Sequence, residues 1–351
     1  MTTNYDIALI GFGNVNRTLG EIIHREGARF EEELGFTLRV TAITDLRYGS
    51  LVNPDGVDLG AALGMAPGET FATIAGGTET VDNETVIRSA KADIVAEATF
   101  TNPADGEPAI THVRWALESG KSVCTTNKGP VAFAAKELKA LAAEKGVFFE
   151  YEGAVMSGTP VLRLASGPLK GVGITGFSGI LNGTSNYIFG RMESGLALED
   201  AIKEAQDLGY AEADPTADIG GSDVRLKVTV LANEVLGASL DANDVPTEGI
   251  TGITAAMIAE AQAQGAHWKL IGQGRRHPDG RIEVSVGPQM LAATHPLAGI
   301  SGATNAVMFD TEYLDQVTIS GPGAGRKETA YALLTDIIAI DAQNRAKKRG
   351  N

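Results

Sequence analysis

The sequence predicts an α/β fold, a parallel sheet covered on both faces, joined to an α+β region. Three observations predict it. The apolar run Asp6-Ile7-Ala8-Leu9-Ile10 ends in Gly11-Phe12-Gly13 and passes straight into a helical pattern, the order of a buried strand, a tight turn and a helix. Strand-like and helix-like stretches then alternate to about residue 150, which implies a parallel sheet with helices on both faces. Beyond that point the pattern changes and strands and helices no longer alternate regularly.

Taken in order, Val15, Leu19, Ile22 and Ile23 share one face of a helix over about 15–28. Residues 38–45 read as a second strand, and 94–99 and 122–126 as two more. Helices are expected near 84–91, 107–119 and 131–145. In the second half, strands are expected at 148–152 and 172–181, with helices near 185–193, 199–208 and 223–237. Gly209 suits the position just past a helix end. Strands at 281–288, 306–309 and 316–320 precede a last helix at about 326–342, apolar on one face. The division is a first domain of residues 1–149 plus 322–351 and a second of 150–321.

Composition removes several function classes. The formal charge of −15 repels nucleic acid and anionic membrane surfaces, so neither is an expected partner. The basic tail Arg345-Ala346-Lys347-Lys348-Arg349 reads as a solvated helix end. Cys124 is the one cysteine, so no intramolecular disulfide forms, and a reducing cytoplasm fits. The N-terminus lacks the basic and apolar regions of a signal peptide, and no apolar run approaches the roughly 20 residues needed to span a bilayer.

Three segments carry candidate chemistry. Gly11-Phe12-Gly13-Asn14-Val15-Asn16 lies between strand and helix, the context a dinucleotide fingerprint requires. Gly11 permits the turn, and Gly13 lets backbone approach a pyrophosphate at the helix N-terminus. This makes the first domain Rossmann-type. Asn16 stands where the usual third glycine would be, which is expected to loosen helix–strand packing or shift cofactor preference. Asp45 ends the second strand, where a carboxylate holds ribose hydroxyls and favours NAD, whereas Arg47 suits the 2′-phosphate of NADP. The preference stays open between them.

The second segment is Thr125-Thr126-Asn127-Lys128-Gly129-Pro130, directly after a strand. Lys128 is placed to meet a carboxylate or a cofactor phosphate, or is a plain loop lysine. The third runs from Tyr210 to Lys227 and holds Glu212, Asp214, Asp218 and Asp223 within twelve residues. Ser222 is expected to cap the following helix. Asp223 and Lys227 share its face at i,i+4 spacing. Two readings stand for that pair: helix support on the surface, or a carboxylate holding a lysine that moves a proton.

The chain resembles the homoserine dehydrogenases from residue 5 to about 342. Four stretches carry the resemblance: Gly11-Phe12-Gly13-Asn14-Val15; Thr126-Asn127-Lys128-Gly129; Ile180-Leu181-Asn182-Gly183-Thr184-Ser185-Asn186-Tyr187; and Gly209-Tyr210-Ala211-Glu212-Ala213-Asp214-Pro215 through Asp218, Asp223 and Lys227. Gly321-Pro322-Gly323-Ala324-Gly325 with Thr329-Ala330 is similar to the family segment that returns to the nicotinamide side. The resemblance implies NAD(P)-dependent interconversion of L-homoserine and L-aspartate 4-semialdehyde, a step toward threonine, methionine and isoleucine. It makes Lys227 the proton donor and Asp223 its orienting partner. Glu212 and Asp218 would hold the amino end of the substrate, and Tyr210, Asn182, Gly183 and Thr184 would line its pocket. Lys128 would sit between substrate and cofactor. Cofactor contacts would come from Gly11, Phe12, Gly13, Asn14, Val15, Asp45, Arg47, Thr101, Gly323 and Gly325. The family also implies a sodium ion held by Glu152 and by Val155, Ser157 and Thr159, since hard cations take oxygen ligands. A homodimer is implied, with 150–321 as the α+β substrate and dimerisation domain. Past the last helix the residues leave no room for a C-terminal regulatory module, so a short form is expected.

Overall fold

The structure, a computed structural model, describes residues 2–350. The chain divides into two compact units, one running to Ala154 and resuming at Gly325, the other Val155–Ala324.

In the first unit the chain runs β1 (Thr3–Ile10), α1 (Asn14–Arg29), β2 (Phe36–Asp45), β3 (Gly49–Val52), α2 (Leu59–Gly64), β4 (Gly77–Thr78), α3 (Asn83–Ser89), β5 (Ile94–Glu97), α4 (Ala109–Glu118), β6 (Ser122–Thr125), α5 (Lys128–Lys145) and β7 (Phe149–Glu150). The sheet order is β4-β3-β2-β1-β5-β6-β7. Strands β2, β1, β5, β6 and β7 run parallel, while β3 and β4 add an antiparallel edge. From β1 the chain first builds outward to β2 and then returns to β5 on the other side. That reversal opens a crevice at the carboxyl ends of β1 and β5, where ligands bind in such sheets.

Apolar spacing explains the packing. Leu19 and Ile23 of α1 are buried with Ile7, Leu9 and Ile43 of the sheet. The terminal helix, Arg326–Gly350, brings Leu333, Leu334, Ile337 and Ile340 into the same core at helical spacing. Hydrogen bonds pin it too: Tyr5 Oη donates to Asp341 Oδ1 at 3.0 Å, and Arg345 donates to the carbonyls of Leu34 and Gly35.

The second unit contains α6 (Val161–Ser166), β8 (Ile174–Ile180), α7 (Gly183–Glu193), α8 (Leu198–Asp207), α9 (Thr216–Ile219), α10 (Ser222–Val235), α11 (Ala255–Ala263), β9 (Ala266–Arg276), β10 (Ile282–Ala292), β11 (Thr304–Thr311) and β12 (Asp315–Pro322); the terminal helix is α12. Its sheet is antiparallel throughout, in the order β10-β9-β8-β11-β12. Helices α7, α10 and α11 pack against β9.

Several sequence expectations change. The strand expected at 148–152 shrinks to Phe149–Glu150, and Glu152–Ala154 forms a 3₁₀ turn. Strand β9 has no counterpart in the sequence reading. Lys269, Leu270, Ile271 and Gly272 are all buried, so the strand shows no alternation, and a lysine in its middle hides the apolar run. Ser222 does not cap α10: Gly221 occupies the cap position without a side-chain bond, and Ser222 Oγ turns back to the Ala217 carbonyl at 3.4 Å.

Asn16 is the most informative correction. It does not loosen the packing. It is fully buried, and its amide donates to the carbonyls of Ile10 at 3.1 Å and Ala96 at 2.9 Å. The side chain therefore ties α1 to the ends of β1 and β5, which a glycine cannot do. Replacing it, Asn16→Gly, should lower the unfolding free energy by about 2 kcal/mol, from lost bonds and greater chain freedom. A urea midpoint equal to that of the parent would refute this tie.

Candidate functional site

In the first unit, the candidate cofactor residues gather at the carboxyl ends of β1, β2 and β5. Gly11 has φ of 79° and sits where a Cβ would lie 2.8 Å from the Ala98 carbonyl oxygen. Only glycine fits that turn. Phe12 is buried beneath it, and Gly13 precedes α1 in extended conformation. Helix α1 has no side-chain cap and no acidic residue in its first turn. Its first N–H groups, from Asn14 and Val15 onward, thus meet no side-chain cap among the described residues, which suits a pyrophosphate.

Asp45 is buried, and its two oxygens are already directed. Oδ2 accepts from the Phe12 N–H at 2.9 Å, and Oδ1 from the Arg47 N–H at 2.8 Å. The Arg47 guanidinium lies 3.5 Å from the same carboxylate, is 71% exposed, and sits over the Tyr48 ring. The two residues that pointed to different cofactors thus form one pair.

A residue missed in the sequence organises the neighbouring loops. Glu97 ends β5 and is fully buried. Its carboxylate accepts from the Thr99 N–H at 3.0 Å, from the Thr99 hydroxyl, and from Thr125 Oγ1 at 2.9 Å. Asn127 then donates to the carbonyls of Thr99 and Phe100, and its Oδ1 accepts from the Gly129 N–H to cap α5. This network shapes the loop carrying Thr101 and sets Lys128 as the first residue of α5, half-buried. A carboxylate at a strand end was the available signal, obscured by its burial.

The second unit assembles the other candidates around Asn182. This residue caps α7, its Oδ1 accepting from the Ser185 N–H at 2.8 Å. Its amide nitrogen donates to Asp218 Oδ1 at 2.6 Å and Asp223 Oδ2 at 3.0 Å. Lys227 Nζ in turn donates to that same Asp223 oxygen at 2.7 Å and to the Leu181 carbonyl at 2.6 Å. Thr184 Oγ1 donates to the Tyr210 carbonyl at 2.6 Å, fastening the acidic segment to the start of α7. The Tyr210 ring packs on Tyr187 with centroids 4.9 Å apart.

Lys227 is 6% exposed. The Asp223–Lys227 pair is therefore not a surface helix pair. Asn182, Asp218, Asp223, Lys227, Thr184 and Tyr210 are brought together, and Gly183 stands in the same turn. Glu212 is not joined to them: its side chain is exposed, and its carbonyl accepts from Gln206. Gly323 follows β12 beside the buried Asn305. Gly325, in the first unit, has φ of 133° just ahead of α12.

Of the residues expected around a cation, Glu152 is buried in the first unit, and its N–H donates to Asp336 at 3.2 Å. Val155 and Ser157 are buried in the second, where Met156 and Ser157 take left-handed backbone, φ of 57° and 54°. Thr159 Oγ1 donates to the Pro322 carbonyl at 3.1 Å. Glu152 offers a buried carboxylate, a donor type that hard cations take.

A buried lysine, a carboxylate and an amide converging on one point can move a proton to or from a small polar molecule. Comparison with known proteins narrows that chemistry. The family model described as homoserine dehydrogenase matches residues 160–338. The NAD(+)-dependent homoserine dehydrogenase of Pseudomonas canavaninivorans is 56% identical over 340 residues, 96% of this chain and 96% of its own. The homoserine dehydrogenase of Methanocaldococcus jannaschii is 37% identical, covering 95% of this chain and 98% of its own. Among solved structures, a homoserine dehydrogenase from Thiobacillus denitrificans superposes with a TM-score of 0.84 at 31% identity, over 98% of this chain and 75% of that one. A hyperthermophilic archaeal homoserine dehydrogenase mutant in complex with NADPH gives 0.81 at 29%, over 97% and 98%.

The buried pair makes a stability prediction. Asp223→Ala should cost about 3 kcal/mol in urea unfolding, because it leaves the Lys227 ammonium buried without that carboxylate. An exposed i,i+4 pair would lose at most about 0.5 kcal/mol. A loss of that smaller size would return the pair to mere helix support.

Proposed function

The chain belongs to the homoserine dehydrogenase family, and we propose that within it Lys227 moves the proton that accompanies hydride transfer. The enzyme interconverts L-homoserine and L-aspartate 4-semialdehyde with NAD(P), the step that serves threonine, methionine and isoleucine synthesis. The carrying observation is the buried Lys227 Nζ, 2.7 Å from Asp223 Oδ2 and 2.6 Å from the Leu181 carbonyl. NAD(P), when bound, accepts or supplies the hydride. In reduction the Lys227 ammonium gives a proton to the aldehyde oxygen. In oxidation the amine takes the hydroxyl proton of L-homoserine. Asp223 orients Lys227, and Asn182 holds Asp223 and Asp218 in a single geometry.

The remaining assignments belong to the same proposal. Asp218 and Glu212 hold the substrate ammonium group, Glu212 from an exposed position. Tyr210, Asn182, Gly183 and Thr184 line the pocket. Lys128 binds substrate carboxylate or cofactor phosphate. Gly11, Phe12, Gly13, Asn14, Val15, Asp45, Arg47, Thr101, Gly323 and Gly325 serve the cofactor. Glu152 with Val155, Ser157 and Thr159 holds sodium. A homodimer forms through the second unit, whose sheet ends in edge strands β10 and β12 and exposes Met290, Tyr313 and Leu314. The single cysteine suits the cytoplasm, and no described helix is long and apolar enough to cross a membrane.

We further propose that NAD is the preferred cofactor. Asp45 places a buried carboxylate at the end of β2, where it accepts from ribose hydroxyls and repels a 2′-phosphate. Its pairing with Arg47 engages the cation that would otherwise meet that phosphate. The 56% identical relative named as NAD(+)-dependent supports the same reading.

Two measurements test these assignments. Lys227→Ala should lower kcat for homoserine oxidation by about 10²-fold or more, with circular dichroism and cofactor affinity unchanged; near-parental turnover would remove Lys227 from the chemistry. Asp45→Ser should shift the kcat/KM ratio toward NADP⁺ by about tenfold, since a like-charge repulsion is relieved. A ratio that does not move would take Asp45 out of cofactor selection.

A further inference from the structure

Strand β9 carries a buried lysine that the reaction does not use. Lys269 is 4% exposed. No carboxylate among the described residues lies within ion-pair distance of it. Its Nζ instead donates to Asn186 Oδ1 at 3.0 Å and to the Ile300 carbonyl at 2.7 Å. Burial lowers its pKa from the ordinary lysine value, and the more distant Glu193 opposes that shift. Glu193 is itself paired with His267 at 3.0 Å. A buried cation without a close counter-ion is expensive, so its bonds must hold something in place.

What they hold is the segment 300–304. Asn186, 1% exposed on the second turn of α7, donates through its amide nitrogen to the carbonyls of Ile300, Gly302 and Thr304 at 3.3, 3.0 and 3.3 Å. Its amide oxygen is then left to accept from Lys269. The segment so gathered packs against the start of α7. A Cβ at Gly183 would lie 2.5 Å from the Ala303 carbonyl oxygen and 3.1 Å from its carbon. Gly183 directly follows Asn182, the hub of the carboxylate network, and precedes Thr184, which fastens Tyr210.

We propose that Lys269 is a positioning residue for substrate binding, acting through Asn186 and segment 300–304 on the Asn182-Gly183-Thr184 turn. This rests on the reading that the turn lines the substrate pocket. The ammonium charge strengthens both hydrogen bonds, and the bonded segment backs the turn so that the Asn182 amide is already aimed when substrate arrives. Lys269 touches no substrate and moves no proton.

The test is steady-state kinetics of homoserine oxidation, with KM measured separately for L-homoserine and for cofactor. Lys269→Met should raise the homoserine KM about tenfold, because a small displacement of the turn misplaces its binding groups. The cofactor KM should stay within about twofold, since the cofactor residues at β1, β2 and β5 lie in the other unit. Asn186→Asp should give the same split. It preserves side-chain volume and offers Lys269 a carboxylate, but removes the amide donations from position 186 to the carbonyls of Ile300, Gly302 and Thr304. If Lys269→Met does not fold, Asn186→Asp decides alone. An unchanged homoserine KM in Asn186→Asp overturns the proposal, as does a parallel rise in both KM values. Asn182→Ala separates this inference from its premise. A raised homoserine KM there with a parental value in Asn186→Asp defeats only the role of Lys269. A parental value in Asn182→Ala defeats the pocket reading and this inference with it.

Discussion

The side chain of Lys227 is buried, and the second unit holds its Nζ between a carboxylate and a backbone carbonyl. An isolated ammonium in a protein interior costs several kcal/mol. That cost is offset by Asp223, one turn earlier on α10, and by the Leu181 carbonyl at the end of β8. Asn182 ties that carboxylate to its neighbours. Its amide nitrogen joins Asp223 to Asp218, while its amide oxygen caps α7. Helix start, strand end and acidic segment therefore meet at one side chain. A pair that tethered only one helix would be free to swing; this one is held from three elements.

The first unit solves a related problem with backbone rather than charge. Its crevice needs a turn tight enough to bring main chain against a phosphate and rigid enough to keep it there. Gly11 supplies the close approach to Ala98, and Asn16 fastens the helix that follows to both adjoining strands. Glu97 does the same for the loops after β5 and β6. Asn16 and Glu97 are buried polar groups, the first donating to strand-end carbonyls and the second accepting from N–H and hydroxyl groups. Such groups are costly unless satisfied, and once satisfied they permit few alternative arrangements.

Much of this architecture is legible in the residues. The alternation of apolar runs and helical stretches locates β1, β2, β5 and β6 and the helices between them, because each run is long enough to be buried on both faces. The spacing of Leu333, Leu334, Ile337 and Ile340 announces the terminal helix. The motif from Tyr210 to Lys227 and the turn at Asn182 are recognisable as written. Other parts are hidden for physical reasons. Strand β9 looks like neither a strand nor a helix, since it carries Lys269 and two glycines in its buried stretch. The edge strands β3 and β4 are too short to show a period. Asn16 read as a defect because one missing glycine says nothing about what an amide can bond.

The fold class, the tight turn at Gly11 and the residue types of the candidate site can be read from the chain alone, since these follow from local period, glycine placement and motif spacing. Spacing also determined that Asp223 and Lys227 share a helix face. Tertiary structure alone decided whether that face is wet or buried, because burial depends on β8 and α7, which are distant in sequence. It decided that Asp45 and Arg47 act on each other, that Asn182 rather than an acid is the hub of the carboxylates, and that Lys269 braces the turn beside it. Those outcomes depend on which atoms lie within 3 Å, and spacing along the chain does not encode that distance.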